Sequence, residues 1–582
     1  MIVRHRRSML LLFATLILTL AISGAAFAEE PDAPADPLTA KVDALFEKWN
    51  RLDSPGCAVG IVRDGELVYA KGFGTSNLEY GVPIDRHTIF EMASATKSFT
   101  SACVALLMDQ GKIDPDDDLR KFLPEMHAFD PPIRVRHLLR CETGLFAQFH
   151  IMPLAGFDNL PIQSPYTQDD LFTLLCGQKR LPFEPGSEFR YGSGDFFLLG
   201  LIVERASGQT LAEFARDNLF KPLEMTRTFY ETDPTVIVAN RAYGHYKDRD
   251  GAWRKWQGAA YLCGGSGVNT CIEDLKRWDG IFHDDALRRG KYMGEFLEQG
   301  MLLGNRFTLD ADAYVKKVNP SIKAPPGEYR GVRRMQFTGG LFGSAVGMAR
   351  FPEHRFTVIC LANTDEIRPW VMAERIADLY LAEHLEPQPA AEVRTIVEVP
   401  EAELRDKVGA YYLADEGRLW RVTFKDGKLY NSNDIGETYE LQPLGDDRFQ
   451  PEKYPTDTFR FARNDGNERY TLHLSWATGS VEYQPVDLPD PKSVPYADYA
   501  GEYFSEELTT FYRIKFEQDA LWLRVNGRRW ERLEPTIAGE FIAADRIPHD
   551  ARVFRFLRDD GGRVSGFAVN FWRINDLRFT RR

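Results

Sequence analysis

The sequence predicts an α+β protein in which a large domain, built from helices and one antiparallel sheet, is followed by two small all-β barrel domains. Strand-like runs lie at both ends of the first two thirds of the chain, with helical patterns between them. A Pro/Ala-rich segment then separates this part from the rest. The remaining residues form short alternating strands that occur in two similar copies, which is typical of paired β modules.

Length and composition are those of an ordinary globular protein. The chain has 582 residues, of which 44% are hydrophobic and 27% charged, and it carries a net charge of -13. No block of basic residues is present, so nucleic-acid binding is not expected. Seven cysteines at irregular spacings fit no zinc-binding pattern, so neither a metal nor any other cofactor is predicted.

The N-terminus has the composition of an export signal. Met1–Arg7 is basic, Met9–Ile22 is apolar, and Ala26-Phe27-Ala28 matches a small-residue cleavage site. These features predict a signal peptide over residues 1–28 and a disordered segment over residues 29–37. The mature protein is then expected to be periplasmic or secreted, and the alternative is an uncleaved N-terminal membrane anchor.

The large domain is predicted to span residues 38–385. Its expected elements follow in chain order: a helix near 38–49, a β-hairpin of 57–62 and 67–73, a helix after Ser94, strands around 338–349 and 356–362, and a closing helix near 370–383. Strands at both ends and helices between them indicate one antiparallel sheet flanked by helices.

Ser94-Ala95-Thr96-Lys97 is the strongest candidate for a nucleophilic site. An apolar helical pattern follows it, which places Ser94 at a helix N-terminus and Lys97 one turn later on the same face. A serine hydroxyl becomes an effective nucleophile when a neighbouring base takes its proton, and a buried lysine can do so. The spacing therefore fits serine-based acyl transfer.

Two further motifs follow Ser94 in the chain. The first is Tyr191-Gly192-Ser193, which precedes an apolar helical run, and the second is Phe337-Thr338-Gly339-Gly340. Together with the Ser94 motif and several non-catalytic landmarks, their order resembles that of the class C β-lactamase and penicillin-binding-protein superfamily of serine hydrolases. The landmarks lie at residues 137–145, 222–228 and 264–270.

The resemblance implies a catalytic role for three side chains and two backbone groups. Ser94 would form an acyl-enzyme, Lys97 would shuttle its proton, and Tyr191 would act with Lys97 as general base and then as proton donor to the leaving group. The backbone N–H groups of Ser94 and Gly340 would form the oxyanion hole. Ser193, Phe337, Thr338 and Gly339 would line the substrate site.

Two of these positions depart from the superfamily pattern. Ser193 stands where the superfamily has asparagine, and it is too short to span the same distance. Phe337 stands where the superfamily has lysine or histidine, which removes the cation that holds a substrate carboxylate. Arg333 and Arg334 lie nearby and could supply charge instead. The departures favour esters or neutral amides over penicillins, and a true β-lactamase or DD-carboxypeptidase is less favoured.

The C-terminal part contains an internal repeat after a linker over residues 386–400. Gly409-Ala410-Tyr411-Tyr412 matches Gly501-Glu502-Tyr503-Phe504 at an offset of 92 residues, and later aromatic and glycine positions also match. The repeat predicts two similar β-barrel modules, over residues 401–488 and 496–582. A catalytic domain with two such lipocalin-like modules resembles the arrangement of the D-aminopeptidases.

The sequence leaves three functional hypotheses open. The first is an exported serine hydrolase acting on a small-molecule ester, amide or peptide, of the esterase or D-amino-acid peptidase type, with cell-wall fragments among the candidate substrates. The second is a degenerate penicillin-binding-protein-like binding protein that has lost turnover. The third is that the β modules are the functional part and bind peptidoglycan or a partner. The sequence does not predict the oligomeric state.

Overall fold

The protein was analysed as a computed structural model, which describes residues 37–157, 167–233, 235–248, 251–256, 263–283, 290–299, 327–341, 343–387, 394–414, 417–433, 437–454, 456–463, 469–476, 479–537, 539–544, 551–571 and 574–582. The predicted signal peptide and most of the segment predicted to be disordered therefore lie outside the described residues. None of the helices in the described ranges is long and apolar enough to cross a membrane.

The chain divides into two units, residues 1–45 and residues 46–582. The described part of the first unit begins at residue 37 and continues as helix α1 (Thr39–Phe46), whose last residue already belongs to the second unit.

The second unit contains the large domain, whose helices are mostly short. The helices are α2 (Thr96–Asp109), α3 (Val135–Arg140), α4 (Gln148–Leu154), α5 (Gln168–Gly177), α6 (Ser193–Ser207), α7 (Leu211–Ala215), α8 (Ile272–Gly280), α9 (Lys291–Gln299) and α10 (Pro369–Tyr380).

The strands of this domain form one five-stranded sheet and several sheets of two or three strands. They are β1 (Cys57–Arg63), β2 (Glu66–Phe73), β3 (Thr75–Asn77), β4 (Val82–Pro83), β5 (Phe90–Glu91), β6 (Phe229–Tyr230), β7 (Gly244–Lys247), β8 (Trp253–Trp256), β9 (Val268–Thr270), β10 (Glu328–Tyr329), β11 (Val332–Arg333), β12 (Met335–Leu341), β13 (Ser344–Phe351) and β14 (Phe356–Ala362).

The main sheet is antiparallel and has the strand order β12-β13-β14-β1-β2. It joins the predicted hairpin at the start of the domain to the strands near its end. The run that the sequence analysis placed at 338–349 is two strands joined by a tight hairpin, because Leu341 pairs with Ser344.

Helices cover both faces of this sheet. A methyl group on Gly60 of β1 would point at Ile272 of α8, whereas one on Gly347 of β13 would point at the backbone of Pro369 and Trp370 at the start of α10. Gly60 and Gly347 pair with Ile359 and Cys360, which are adjacent in β14 and therefore face opposite sides of the sheet. The helix/antiparallel-sheet/helix prediction is confirmed.

The C-terminal part forms two closed antiparallel barrels, as predicted. The first consists of β15 (Gly409–Leu413), β16 (Arg418–Lys425), β17 (Lys428–Ser432), β18 (Thr438–Gly445), β19 (Arg448–Pro451), β20 (Thr458–Ala462), β21 (Thr471–Trp476) and β22 (Gly479–Val486). The second consists of β23 (Gly501–Ser505), β24 (Thr510–Glu517), β25 (Ala520–Val525), β26 (Glu531–Pro535), β27 (Glu540–Ala544), β28 (Ala551–Arg558), β29 (Val564–Phe571) and β30 (Ile574–Arg581).

Short helices introduce the two barrels, α11 (Glu401–Arg405) before the first and α12 (Tyr496–Tyr499) before the second. The two glycines that open the repeat in the sequence, Gly409 and Gly501, begin the first strand of each barrel. The strands lie within the predicted modules, and the module boundaries themselves stay predictions.

The second barrel shares its apolar core with the large domain. Tyr499, Tyr503 and Tyr512 of the barrel region belong to the same buried cluster as Ile151 and Leu154 of α4. The core of the first barrel is a separate cluster that includes the inward-facing Trp420 and Val422, as the alternating pattern predicts. The two barrels therefore differ in their relation to the large domain.

Candidate active site

Ser94 lies on a 3₁₀ turn (Ala93–Ala95) that leads directly into α2. Ala93 has a φ of 44°, in the left-handed region that side chains other than glycine rarely adopt. This conformation costs about 1 kcal/mol, and it turns the chain sharply at the residue before Ser94. Ser94 itself is half-buried, so its hydroxyl stands at the head of the helix with access from outside.

Lys97 lies one helical turn later, and 1% of its surface is exposed. Its Nζ donates to Ser94 Oγ at 3.1 Å, to Ser193 Oγ at 2.9 Å and to the carbonyl oxygen of Gly265 at 2.8 Å. A buried ammonium needs such acceptors to offset its desolvation. The first two contacts place Lys97 between the two serines that the sequence analysis selected.

Tyr191 completes the arrangement around Ser94. It is half-buried, and its hydroxyl donates to Ser94 Oγ at 2.7 Å. Lys97 Nζ also lies 5.0 Å from the centroid of the Tyr191 ring, within the range of a cation–π contact. The predicted nucleophile thus has both candidate proton carriers within hydrogen-bond distance.

Ser193 is the first residue of α6 and is 4% exposed. The loop at Gly265 packs closely on it, because a methyl group on Gly265 would lie 2.5 Å from the carbonyl oxygen of Ser193. Its hydroxyl reaches Lys97 directly. Its contact with substrate stays a prediction.

Strand β12 passes against the Ser94 turn at Gly339. A methyl group at Gly339 would lie 2.4 Å from the carbonyl oxygen of Met92 and 2.9 Å from the backbone nitrogen of Ser94. Gly340, the next residue, is exposed, and a methyl group there would contact nothing. The close approach at Gly339 thus brings β12, which carries Gly340, alongside the backbone of Ser94. Ser94 and Gly340 are the two predicted oxyanion-hole residues.

Replacing Gly339 with alanine is expected to displace β12 from the Ser94 turn, because the new methyl group would collide with backbone atoms that cannot rotate away. A shift of this kind at a catalytic site typically costs about 100-fold in rate. The measurement is kcat/KM for a chromogenic ester together with the melting temperature. Gly280→Ala, in α8, is the control, since a methyl group there meets no other atom. A Gly339→Ala enzyme with unchanged kcat/KM would contradict the predicted role of this contact.

The other predicted substrate-site residues occupy different surroundings. Thr338 is half-buried on β12. Phe337 is 3% exposed and lies in the apolar core, with its ring centroid 6.2 Å from that of Phe282. A role for Phe337 as a wall of the substrate pocket stays a prediction, and in this structure its ring is covered by other apolar side chains.

Arg333 and Arg334 both have partners away from Ser94. The Arg333 guanidinium donates to the carbonyl oxygen of Glu298 at the end of α9. Arg334 is 4% exposed and forms an ion pair with Glu374 of α10. Both arginines are therefore engaged elsewhere, and neither evidently replaces the cation that is missing at position 337.

Asp195 is a buried acidic residue close to the site that the sequence analysis did not select. It is the third residue of α6, it is 4% exposed, and Thr143 Oγ1 donates to its Oδ1 at 2.9 Å. Burial raises the pKa of its carboxyl to about 8, against the opposing effects of the Thr143 hydrogen bond and of Lys97. In sequence it resembles any acidic residue in the first turn of a helix, which is why the pattern did not reveal it.

Gln148, the first residue of α4, is another residue that the sequence did not single out. Its side chain is completely buried, and neither its amide nitrogen nor its amide oxygen has a hydrogen-bond partner among the described residues. A methyl group on Gly194, next to Ser193, would lie 3.1 Å from the Gln148 amide oxygen. Burying an amide without a hydrogen-bond partner costs free energy of folding. Helix α4 places this amide against the start of α6.

The cysteines and the metal-ligating residues show no further site in the described parts of the chain. No disulfide joins the seven cysteines, all of which lie in the described ranges, and six of them are buried. Among the described residues, no group of three or more His, Cys, Asp or Glu side chains is placed to hold a metal ion.

The family of the chain follows from a comparison with known protein families. The beta-lactamase family matches residues 42–382, which is more than half of the chain and includes all the site residues above. The chain belongs to the beta-lactamase family. This is a family of serine hydrolases that includes penicillin-binding proteins and D-aminopeptidases.

Relatives of this β-lactamase-family chain are similar at low identity. A D-aminopeptidase of Gluconobacter oxydans is 26% identical over 247 residues, which is 42% of this chain and 46% of the relative. A penicillin-binding protein of Bacillus subtilis is 26% identical over 430 residues, which is 70% of this chain and 90% of the relative. The chain thus spans less than half of the D-aminopeptidase and most of the penicillin-binding protein.

A solved structure supports the fold. The octameric penicillin-binding protein homologue from Pyrococcus abyssi superimposes with a TM-score of 0.50 at 19% sequence identity, covering 84% of this chain and 99% of that one. At this identity the likeness concerns the fold alone.

Proposed function

We propose that the protein is an exported serine hydrolase that cleaves ester or amide bonds through an acyl-enzyme on Ser94, of the esterase or D-amino-acid peptidase type. The observation that carries the proposal is the position of Ser94 Oγ, 2.7 Å from the Tyr191 hydroxyl and 3.1 Å from Lys97 Nζ. A serine whose oxygen has both a lysine and a tyrosine within hydrogen-bond reach is a nucleophile with its own proton carriers. A serine that merely begins a helix needs neither partner.

In the first chemical step the Tyr191–Lys97 pair accepts the proton of Ser94 Oγ. The oxygen then attacks the substrate carbonyl carbon, and a tetrahedral intermediate with a negatively charged oxygen forms. The positive charge of Lys97 beside the Tyr191 ring favours the phenolate form of Tyr191, which is the form that can accept a proton. Proton transfer by well-placed groups of this kind contributes about 10²- to 10⁴-fold in rate.

The intermediate is stabilised and then collapses. The backbone N–H groups of Ser94 and Gly340 bind the oxyanion, and each such donor contributes about 3 kcal/mol. Tyr191 passes the proton to the leaving alcohol or amine, the bond to the leaving group breaks, and the acyl group stays on Ser94 Oγ. Water then attacks the acyl carbon with the same proton carriers acting in reverse, which regenerates Ser94.

We infer that short acyl esters and neutral amides are better substrates than penicillins. Phe337 offers no charge for a substrate carboxylate, and Arg333 and Arg334 are engaged with Glu298 and Glu374. A carboxylate brought to this site would lose its hydration without gaining an ion pair. A kcat/KM for benzylpenicillin well above that for p-nitrophenyl esters would contradict this preference.

The proposed location is the periplasm or the extracellular space. It rests on the basic start, the apolar stretch and the Ala26-Phe27-Ala28 site at the N-terminus of the sequence. The N-terminal sequence of the protein secreted by, or extracted from the periplasm of, an expressing bacterium tests it, with Glu29 expected as the first residue. A mature protein that still begins at Met1 would support the membrane-anchored alternative.

The catalytic proposal is tested by the intact mass of the protein after incubation with a fluorophosphonate. A single adduct is expected on the wild type, with loss of fluoride and a new bond from phosphorus to Ser94 Oγ, and none on Ser94→Ala. Hydrolysis of p-nitrophenyl esters and D-amino-acid p-nitroanilides is then measured for both proteins, and turnover is expected for the wild type alone.

Ser98→Ala is the matched control, because Ser98 lies on the same helix but bonds only to the carbonyl oxygen of Ala95 among the contacts described here. It should label like the wild type. A folded wild type that forms no adduct and hydrolyses none of these compounds would contradict the proposal and favour the degenerate binding protein.

A further inference from the structure

Asp195 is a buried acid in the first turn of α6, the helix that begins at Ser193 of the candidate active site. It lies two residues after Ser193 in the first turn of α6, and Ser193 Oγ accepts a hydrogen bond from Lys97 at 2.9 Å. Its side chain is 96% buried by the surrounding protein, since only 4% of its surface is exposed. The described residues include no lysine, arginine or histidine in an ion pair with it. A buried carboxylate without such a partner is costly in its charged form.

Within the described part of the chain, the hydrogen bond to its carboxyl comes from a hydroxyl whose direction is fixed. Thr143 Oγ1 accepts the backbone N–H of Leu145 at 3.1 Å and therefore has its own hydrogen free for Asp195 Oδ1 at 2.9 Å. A single neutral donor compensates an ionised carboxylate only in part. Protonation of Asp195 is the alternative, because a neutral carboxylic acid does not need a charged partner.

The charged and titratable groups around Asp195 come from three elements. Lys97 on α2 is the charged group whose field acts on the carboxyl. Tyr191 precedes Asp195 in the chain and bonds to Ser94, while Glu142 is next to Thr143 and is ion-paired with Arg140 at 3.2 Å. From α4, Gln148 contributes a neutral amide near Gly194.

We propose that Asp195 is a positioning residue for the reaction, which controls the charge beside Lys97 so that acyl transfer to Ser94 is fast only while Asp195 holds its proton. This inference rests on the proposed function. An ionised Asp195 would add a negative charge to a site where negative charge must develop on Ser94, Tyr191 and the substrate oxygen. It would also stabilise the ammonium form of Lys97 against giving up a proton. The first effect slows acylation whichever of Lys97 and Tyr191 takes the proton, and the second adds to it where Lys97 must first give up its own proton.

The inference predicts an alkaline fall in activity with a defined midpoint. Burial raises the pKa of Asp195 to about 8, so the carboxyl is protonated at neutral pH and loses its proton as the pH rises through that value. At about pH 9 roughly a tenth of the molecules keep the proton, and the second-order rate of fluorophosphonate labelling is expected to lie about tenfold below its maximum. The same fall is expected in kcat/KM for a p-nitrophenyl ester.

Asp195→Asn tests this prediction, because asparagine has nearly the shape of a protonated aspartic acid and cannot ionise. Its labelling rate at neutral pH should be within about twofold of the wild type, and the fall near pH 8 should disappear. Thr143→Val is the second variant. It removes the hydroxyl that favours the charged carboxylate, so the fall should move to higher pH. Opposite or absent shifts in these two variants would overturn the inference.

Glu204→Gln is the matched control, since Glu204 lies near the other end of α6 and burial raises its pKa as well. It accepts the backbone N–H of Leu211 at 3.1 Å, far from Lys97, and its pH profile should follow that of the wild type. A Glu204→Gln profile that loses the alkaline fall would overturn the assignment to Asp195.

A readout independent of activity separates this inference from the proposed function. The infrared difference spectrum between wild type and Asp195→Asn should contain the carbonyl band of a protonated carboxylic acid at neutral pH, and this band should disappear near pH 8. Its absence would overturn the inference. Labelling that falls at the same pH in wild type and Asp195→Asn would overturn the inference alone, whereas no labelling of either protein would overturn the proposed function and the inference with it.

Discussion

Replacing Lys97 with methionine is expected to lower the rate of acyl transfer to Ser94 by about 1,000-fold or more. Methionine fills a similar volume, but it neither carries a proton nor offers charge to Ser94 and Tyr191. It also leaves Ser193 Oγ and the Gly265 carbonyl oxygen without the donor they have now, at 2.9 and 2.8 Å. Losses of 10²- to 10⁴-fold are typical when a proton-transferring group is removed. The measurement is the second-order rate of fluorophosphonate labelling.

Lys407→Met is the control for the removal of a buried lysine as such. Lys407 is 1% exposed and pairs with Asp447 at 2.7 Å in the first barrel, away from the site. It should lower the melting temperature but label at the wild-type rate per folded molecule. Labelling of Lys97→Met within tenfold of the wild type would show that Ser94 is activated by another group.

Deleting residues 496–582 is expected to unfold the large domain rather than simply remove an accessory module. The second barrel provides hydrogen-bond donors to the end of α4: the Tyr512 hydroxyl donates to the carbonyl oxygen of Leu154 at 2.8 Å, and Thr510 and Asn526 donate to that of Ala155 at 3.2 and 3.0 Å. The last carbonyls of a helix have no partner within the helix, so these donors act as its C-terminal cap.

The contact is also close enough to require glycine. A methyl group on Gly177, at the end of α5, would lie 2.4 Å from the carbonyl oxygen of Glu507 in the barrel. Nearby, Arg180 forms an ion pair with Glu507 at 2.9 Å. Ile151 and Leu154 belong to the apolar cluster that the barrel shares, so removal of the barrel exposes part of this cluster to water. Each of the three lost hydrogen bonds contributes about 1 kcal/mol, and each exposed aliphatic side chain costs about 1.5–3 kcal/mol, which together approach the total stability of a domain.

The measurement for this deletion is thermal unfolding by circular dichroism, with fluorophosphonate labelling of the same sample. A truncated chain that unfolds cooperatively at the wild-type temperature and labels at the wild-type rate would contradict this expectation. Such a result would instead revive the hypothesis that the modules serve as a separate binding part.

Tyr512→Phe and Tyr503→Phe provide a milder, matched comparison. Each removes one buried hydroxyl, but Tyr503 donates to the carbonyl oxygen of Tyr499 in its own barrel region at 2.8 Å, whereas Tyr512 donates to α4. If the barrel supports the catalytic centre through α4, only Tyr512→Phe should change kcat/KM as well as stability. Equal effects on kcat/KM would contradict that link.

The sequence selected Ser94, Lys97 and Tyr191, which the structure brings together, but it did not indicate how they are held there. Ser94 and Lys97 are three residues apart on a helix, so their contact follows from helical geometry alone. The contact of Tyr191 with Ser94 spans 97 residues, and it was inferred from the order of motifs that resembles the superfamily. The third acceptor of Lys97, the carbonyl oxygen of Gly265, belongs to a landmark whose role no local pattern could indicate.

Phe337 has surroundings that its motif did not indicate. Its position in the Thr338-Gly339-Gly340 run predicted a side chain at the substrate site, and the same run does bring Gly339 against the Ser94 turn. The ring itself packs beside Phe282, which is distant in the sequence and comes from the segment after α8. Packing of this kind depends on which side chains the fold brings together, and it is not encoded in the spacing of one strand.

The sequence by itself determined the α+β class, the two barrels and the motif order, because periodic apolar patterns and internal repeats are local properties of the chain. The tertiary structure alone decided that the second barrel caps α4 and shares the large domain's core while the first keeps its own. It also decided that Asp195 is buried, with Lys97 acting on its carboxyl and with no ion-pair partner among the described residues. Burial and the charge of neighbouring groups depend on contacts between distant segments, so the chemistry of a carboxyl such as Asp195 is set only when the chain has folded.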